Sequence, residues 1–308
     1  MSHRRAGSVP LVSVVLIFLN EERYLEEAVQ SVLDQQLQGW ELILVDDGST
    51  DRSTQLARDL AARDDRIRYV DHPGHANRGM SASRNLGVGH ATAPYIAFLD
   101  ADDVWMPDKL AEQVRLLENM PDVAMVVGAI EYWYSWDPAS TKADRVVLTG
   151  GMADRRLDPP DAVLALYPLG SGAGAGVTGL VRRSAFDAAG GFEEPFRGLY
   201  EDQAFLAKIF LRYPIFISSR NTYRYRQHDT SCVGRTSRAD RRRLRGTFLA
   251  WLETYVGAGG DPRVIAAVRR ARRELTYTRL AAPAYEVYDR LPEDLRGRLR
   301  ALAGRTTG

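Results

Sequence analysis

Three apolar runs recur along the first hundred positions: Val12-Ser-Val-Val-Leu-Ile-Phe18, Trp40-Glu-Leu-Ile-Leu-Val45 and Tyr95-Ile-Ala-Phe-Leu99. Each is short, nearly continuous and bounded by turn residues, the pattern of a strand covered on both faces in a parallel sheet. A shorter strand is expected at Arg66–Val70. Between the strands the spacing becomes helical. Tyr24, Leu25, Ala28, Val29, Val32 and Leu33 mark a first helix, with Asn20 as its cap and Glu21 and Glu22 suited to its dipole. Leu56 and Leu60 mark a second, opened by the turn Gly48-Ser-Thr-Asp51, and Asn77–Gly87 opens a third. Strands alternating with helices imply right-handed crossovers, a mostly parallel sheet, and ligands at the carboxyl ends of the strands. Three polar clusters fall at those ends: Asn20, Asp46 with Asp47, and Asp100 with Asp102.

Farther on, a helix is expected from Pro107 through Leu110, Val114 and Leu117 to Pro121, then a strand at Val123–Val127. The stretch from Tyr132 to Asp161 reads as irregular; its Trp133 and Trp136 suit either stacking on sugar rings or packing on the body. Gly174, Gly176 and Gly179 satisfy G-x-G-x-x-G within the glycine-rich stretch that starts at Gly170. They lie late in the chain and lead into a strand at Gly179–Val181, so a dinucleotide fingerprint is excluded. Backbone passing close to a ligand, or a simple loop, remains. Phe192–Asp202 leads into a helix carrying Phe205, Leu206, Ile209 and Phe210, and Tyr223–His228 is a short strand. Beyond Arg238 the pattern is helical, with helices expected at 241–255, 262–280 and 283–302.

Composition narrows the class. With 308 residues, 45% hydrophobic and 26% charged, the chain is an ordinary globular protein large enough for a full core. Its one cysteine, Cys232, excludes an internal disulfide. No signal-peptide pattern and no run of eighteen apolar residues is seen, so a cytoplasmic protein is expected. The net charge of +1 hides an asymmetry: from Arg235 onward stand 17 Arg, no Lys and 8 acidic residues, a balance of +9 against −8 for the remainder. Basic amphipathic helices of this kind lie on an anionic membrane surface or pack on the body. Nucleic acid is not an expected partner.

The chemistry gathers in two places. Asp100 and Asp102, one residue apart past a buried strand, point the same way in extended chain and repel unless a cation or donor-rich ligand intervenes. Hard oxygen ligands there suit Mg²⁺ or Mn²⁺ carrying a diphosphate. Glu201 and Asp202 stand at a helix start, where the dipole favours an ionised carboxylate able to act as a base.

Ser13–Asn20, Val45-Asp-Asp-Gly-Ser-Thr-Asp51, Ser83-Arg-Asn-Leu-Gly87, Phe98-Leu-Asp-Ala-Asp-Asp103 and Tyr200-Glu-Asp202, in this order and spacing, resemble the family 2 glycosyltransferases over about Val12–Ser231. The resemblance implies an α/β GT-A fold that binds a nucleoside diphosphate sugar and a divalent cation, Mg²⁺ or Mn²⁺, and transfers the sugar with inversion to an acceptor hydroxyl. It makes Asp47 the nucleobase contact, with Phe18 and Leu19 as the wall and Asn20 beside them. Arg84 resembles the basic residue facing the diphosphate, Asp100 the ribose-side carboxylate and Asp102 the metal ligand, with Asp103 in reserve. Asp202 resembles the catalytic base, Glu201 its substitute, and His228 a residue reaching the metal or diphosphate. Many members carry Tyr where Leu19 stands. The expected organisation is a polar tail at 1–11, a catalytic domain at 12–232 with halves 12–105 and 106–232, and a helical extension at 233–308. A sugar nucleotidyltransferase would need a basic, glycine-rich loop after the first strand, whereas Leu19-Asn-Glu-Glu22 is acidic. A catalytically silent binding module of the same fold is at odds with the intact Asp102 and Asp202.

Overall fold

A computed structural model describes residues 9–170 and 175–289, with side chains to residue 276. The parallel half is built from β1 (Val12–Phe18), α1 (Leu25–Leu33), β2 (Trp40–Asp46), α2 (Ser53–Arg63), β3 (Ile67–Asp71), α3 (Met80–His90) and β4 (Tyr95–Asp100). The strands lie in the order β3-β2-β1-β4, parallel throughout, and every residue of β1 is buried. That burial is why the sequence shows unbroken apolar runs instead of alternation. The register sets Phe18 beside Asp46 and Ile17 beside Asp100, so the three polar strand ends reach one edge together.

The second half is mixed. It comprises β5 (Val104–Trp105), α4 (Lys109–Asn119), β6 (Met125–Trp133), β7 (Arg145–Val147), β8 (Arg155–Leu157), α5 (Asp161–Ala165), β9 (Leu180–Arg182), α6 (Arg183–Ala189), α7 (Glu201–Phe210) and β10 (Ile215–Arg226). Strand β9 runs antiparallel to both β4 and β6 and joins the halves, β6 and β10 are parallel, and β5 closes the edge against β10. Strand β10 begins well before Tyr223, where the sequence predicted it. The polar run Ser218–Thr222 hides its first part, and the register against β6 shifts there between Ile217 and Tyr223. The stretch read as irregular holds the end of β6 and all of β7 and β8, whose three-residue lengths carry too little periodicity to see.

Past β10 come α8 (Cys232–Arg235), α9 (Arg238–Val256) and α10 (Pro262–Asp289). Helix α10 passes through Pro283, where the sequence predicted a break; an interior proline costs one helical hydrogen bond but does not always end the helix. Residues 1–8 of the expected tail, Ser171–Gly174 of the glycine-rich stretch, and the part of the last expected helix beyond Asp289 lie outside the described residues. The chain divides into two compact units, Met1–Phe248 and Leu249–Gly308. In the second, Val264, Ala267, Val268 and Ala271 form a buried stripe at helical spacing, Arg272 pairs with Glu253, and Arg269, Arg270 and Arg273 are exposed. Among the described residues no helix is long and apolar enough to cross a membrane.

Candidate active site

The loops after β1, β2 and β3 are stitched into one wall. Asn20 adopts a left-handed φ of 58°, and its Oδ1 accepts the backbone N–H groups of Thr50 (2.7 Å) and Asp51 (3.2 Å). It therefore braces the β2–α2 loop and does not cap α1, whose N-cap is Tyr24. Asp46 is fully buried, accepting from the N–H of Ser49 (2.8 Å) and the hydroxyl of Thr54 (2.6 Å). Asp47 accepts the N–H groups of Arg78 (2.7 Å) and Gly79 (3.0 Å), so its carboxylate fastens the loop before α3. Gly48, at φ 87°, lets these loops touch; a Cβ there would lie 2.9 Å from Asn77 N and from His75 O. Phe18 is buried beneath the wall, and Leu19 is 38% exposed above it.

Carboxylates crowd the edge facing this wall. Arg84, one turn into α3, is 2% exposed and lies between two of them: Nη2 donates to Asp100 Oδ1 at 2.6 Å and Nη1 to Glu201 Oε1. One guanidinium thus ties the end of β4 to the start of α7. Asp102 meets His228, whose Nε2 lies 3.0 Å from Oδ2, while the other ring nitrogen meets Thr230 Oγ1 at 2.7 Å. Asp103 turns inward: Oδ2 accepts the Tyr223 hydroxyl (2.6 Å) and Oδ1 the Arg226 N–H (2.8 Å). Burial and the neighbouring Asp102 and Asp100 push its pKa well above the usual carboxylate range. Arg226 is itself buried, donating to the Asp102 carbonyl (2.7 Å) and Glu27 (2.5 Å) amid the rings of Tyr24, Trp133 and Trp136. With Arg23 over the Trp136 ring as well, these tryptophans pack against cations of the body.

Helix α7 opens behind Tyr200, held at φ 75°, which turns Glu201 and Asp202 into its first turn. Asp202 Oδ1 accepts the N–H of Gln203 (2.7 Å), and Oδ2 the Gln203 amide (3.1 Å), which also donates to Ala175 O (2.9 Å). Burial raises the Asp202 pKa, and lifts Glu201 to about 7 against the pull of Arg84. At both carboxylates desolvation by burial thus opposes the ionised form that the helix start was expected to favour.

The structure thus joins Asp100, Arg84 and Glu201 in one set of contacts and Asp102 with His228 in a second, and ties Asp47 and Asn20 into the adjoining wall. Sequence reasoning missed Arg226 and Tyr223. The alternation Tyr223-Arg-Tyr-Arg226 carried no signal for them, since it sets Arg224 and Arg226 on one face while only Arg226 is buried. Asp102 and His228 give one carboxylate and one imidazole, a donor pair that suits a divalent ion whose remaining positions are filled by phosphate oxygens and water. Among the described residues no group of three or more metal-ligating side chains gathers.

The family model for glycosyl transferase family 2 matches residues 13–187, more than half of the chain. The chain belongs to that family. Among relatives, the uncharacterized glycosyltransferase EpsJ of Bacillus subtilis (strain 168) is 37% identical over 155 residues, 48% of this chain and 43% of that protein. An uncharacterized glycosyltransferase of Haemophilus influenzae is 40% identical over 113 residues, 36% of this chain and 44% of that one. The matched chain spans less than half the length of these relatives. Among solved structures, Staphylococcus aureus TarS 1-349 in complex with UDP-GlcNAc superposes with a TM-score of 0.64 at 16% identity, covering 92% of this chain and 77% of that one. The mannosyltransferase PcManGT of Pyrobaculum calidifontis, in complex with GDP-Man and Mn²⁺, gives 0.58 at 18% identity, covering 98% and 81%. The GT-A fold implied by the family 2 motifs is the fold present.

Proposed function

We propose that this family 2 member transfers a sugar, with inversion, from a nucleoside diphosphate sugar to an acceptor hydroxyl in the making of a polysaccharide, glycolipid or glycosylated small molecule. The observation that carries this reading is the Arg84 bridge, which sets the nucleotide-side Asp100 and the base-bearing start of α7 at one edge. The donors in the TarS and PcManGT complexes support it.

In the reaction the acceptor oxygen bonds to the anomeric carbon, and its proton passes to Asp202. The bond from that carbon to the phosphate oxygen breaks, and its electron pair leaves with the diphosphate. A positioned base of this kind contributes about 10²–10⁴-fold. Asp202 is the better base because Glu201 is committed to Arg84. Bound Mg²⁺ or Mn²⁺ supplies charge neutralisation for the leaving diphosphate, and Asp102 with His228 would hold it. Asp103 falls outside the metal set, since it is 2% exposed and turned inward onto Tyr223 and Arg226. Arg84, buried and doubly paired, acts by positioning Asp100 and Glu201. Asp47 still offers an acceptor lone pair to the nucleobase, with Phe18 and Leu19 as the apolar wall.

Nucleoside diphosphate release from a panel of donor sugars with Mn²⁺ tests the reading. Asp202→Asn is expected to bind donor and abolish release; wild-type release in that variant removes Asp202 as base, and a panel with no binder sinks the reading.

A further inference from the structure

Two adjacent carboxylates open α7, and each is tied down in its own way. Glu201 is buried and takes a guanidinium, that of Arg84. Asp202 is partly exposed and is held by two neutral donors of the next residue: the N–H of Gln203 at Oδ1 (2.7 Å) and the side-chain amide of Gln203 at Oδ2 (3.1 Å). The same amide nitrogen donates to the carbonyl of Ala175 (2.9 Å), 28 residues earlier in the chain. The orientation of that amide is dictated by its surroundings. Both partners are acceptors and the NH₂ end carries one hydrogen for each, whereas a turned-over amide would set its own oxygen against both.

Ala175 is 1% exposed and stands where the glycine-rich stretch leads toward β9. Side chains fasten this segment at two carbonyls, Gln203 at Ala175 and Lys109 of α4 at Thr178. Strand β9 runs antiparallel to β4, with Leu180 beside Ala97, so the residues that precede β9 lie toward the end of β4 that carries Asp100. Arg84 thus ties Glu201 to the end of β4 itself, and Gln203 ties Asp202 to the backbone running past that end.

We propose that Gln203 is the positioning residue of the base: its amide fixes the orientation of the Asp202 carboxylate relative to the backbone at Ala175 and favours its ionised form. Burial alone drives this carboxyl toward protonation, in which state it takes no proton from an acceptor hydroxyl; the Gln203 donors oppose that, because a hydrogen bond to the charged form favours it. Each carboxylate oxygen keeps a second lone pair for the incoming proton. A base turned out of line with the acceptor hydroxyl loses its advantage, so a fixed orientation matters as much as charge. This inference rests on the glycosyltransferase reading with Asp202 as base, and the test separates the two.

Diphosphate release from the donor panel with Mn²⁺ is followed on the full chain as kcat and KM against pH, with melting temperature as the control for folding. A rate that depends on a base climbs with pH until the base is ionised. Gln203→Met keeps the length and removes the amide donors. Its climb is expected at higher pH than that of the wild type, with kcat at neutral pH about 10-fold lower and the donor KM unchanged. Gln203→Glu sets a like charge against Asp202 and is expected to move the climb farther in the same direction; it decides by the same criterion should the Met variant not fold. Climbs that superimpose on the wild type, or a kcat lowered by one factor at every pH, overturn the proposal, and the functional reading stands if Asp202→Asn is inactive beside them. A wild-type chain that releases diphosphate from no donor overturns both.

Discussion

Replacing Arg84 by Met would take the cation from between Asp100 and Glu201 and leave the almost fully buried Glu201 beside a second, uncompensated charge. Breaking a buried ion pair at one partner costs about 3–5 kcal/mol, so urea unfolding of Arg84→Met is expected to show a loss of that size; an unchanged midpoint would remove the bridge from the stability of the fold. Lys109 offers a second test. It is fully buried, donating to Gln113 (3.2 Å) and the Thr178 carbonyl and facing the rings of Trp105 and Tyr223. Burial lowers its pKa from 10.5 to about 7. Between those values the unfolded chain binds the extra proton, so this group's cost is full below about pH 7 and is relieved as pH rises toward 10.5. Its contribution to stability should therefore climb by about 1.4 kcal/mol per pH unit in that window, and Lys109→Met should remove the climb. Equal slopes for the two proteins in pH-dependent urea titrations would refute it. Neither burial was legible in the sequence, because Arg and Lys read as solvated unless a partner is known, and the partners come from elements far along the chain.

At the scale of elements, α3 must lie close on the sheet for Arg84 to reach its carboxylates. Gly87 permits this: a Cβ there would collide with Val15 and press on Val45. Gly87→Ala is expected to cost about 1–3 kcal/mol by overpacking. Because the helix must then move, metal-dependent nucleotide binding should weaken together with the melting temperature. A variant that melts lower yet binds normally would separate the helix from the site. The elements themselves were legible where burial on both faces writes long apolar runs, as in β1, β2 and β4. They were not legible where two- or three-residue strands pair through neighbours distant in sequence, as β5 and β8 do with β10.

For the molecule as a whole, a nucleoside diphosphate sugar with Mn²⁺ should stabilise the folded chain by about 2.7 kcal/mol at a hundred times its Kd. Chelation should return the melting curve toward that of the free protein, and a curve indifferent to chelator would count against Asp102 and His228 as metal residues. The exposed Arg269, Arg270 and Arg273 underlie a proposed contact with an anionic membrane surface. Association with phosphatidylserine vesicles should fall as salt rises, and equal association with neutral vesicles would exclude an electrostatic contact.

The Arg84 bridge also bears on recombination. Its three members come from α3, the end of β4 and the start of α7, with Glu201 lying 117 residues beyond Arg84 in the chain. A hybrid of family members joined at the proposed boundary between the two halves would cut this bridge. A hybrid whose donor half brings an arginine and whose acceptor half lacks the matching carboxylate inherits a buried, half-neutralised cation. Hybrids that exchange the acceptor half together with α3 and the end of β4 keep the bridge whole, and they are the ones expected to fold.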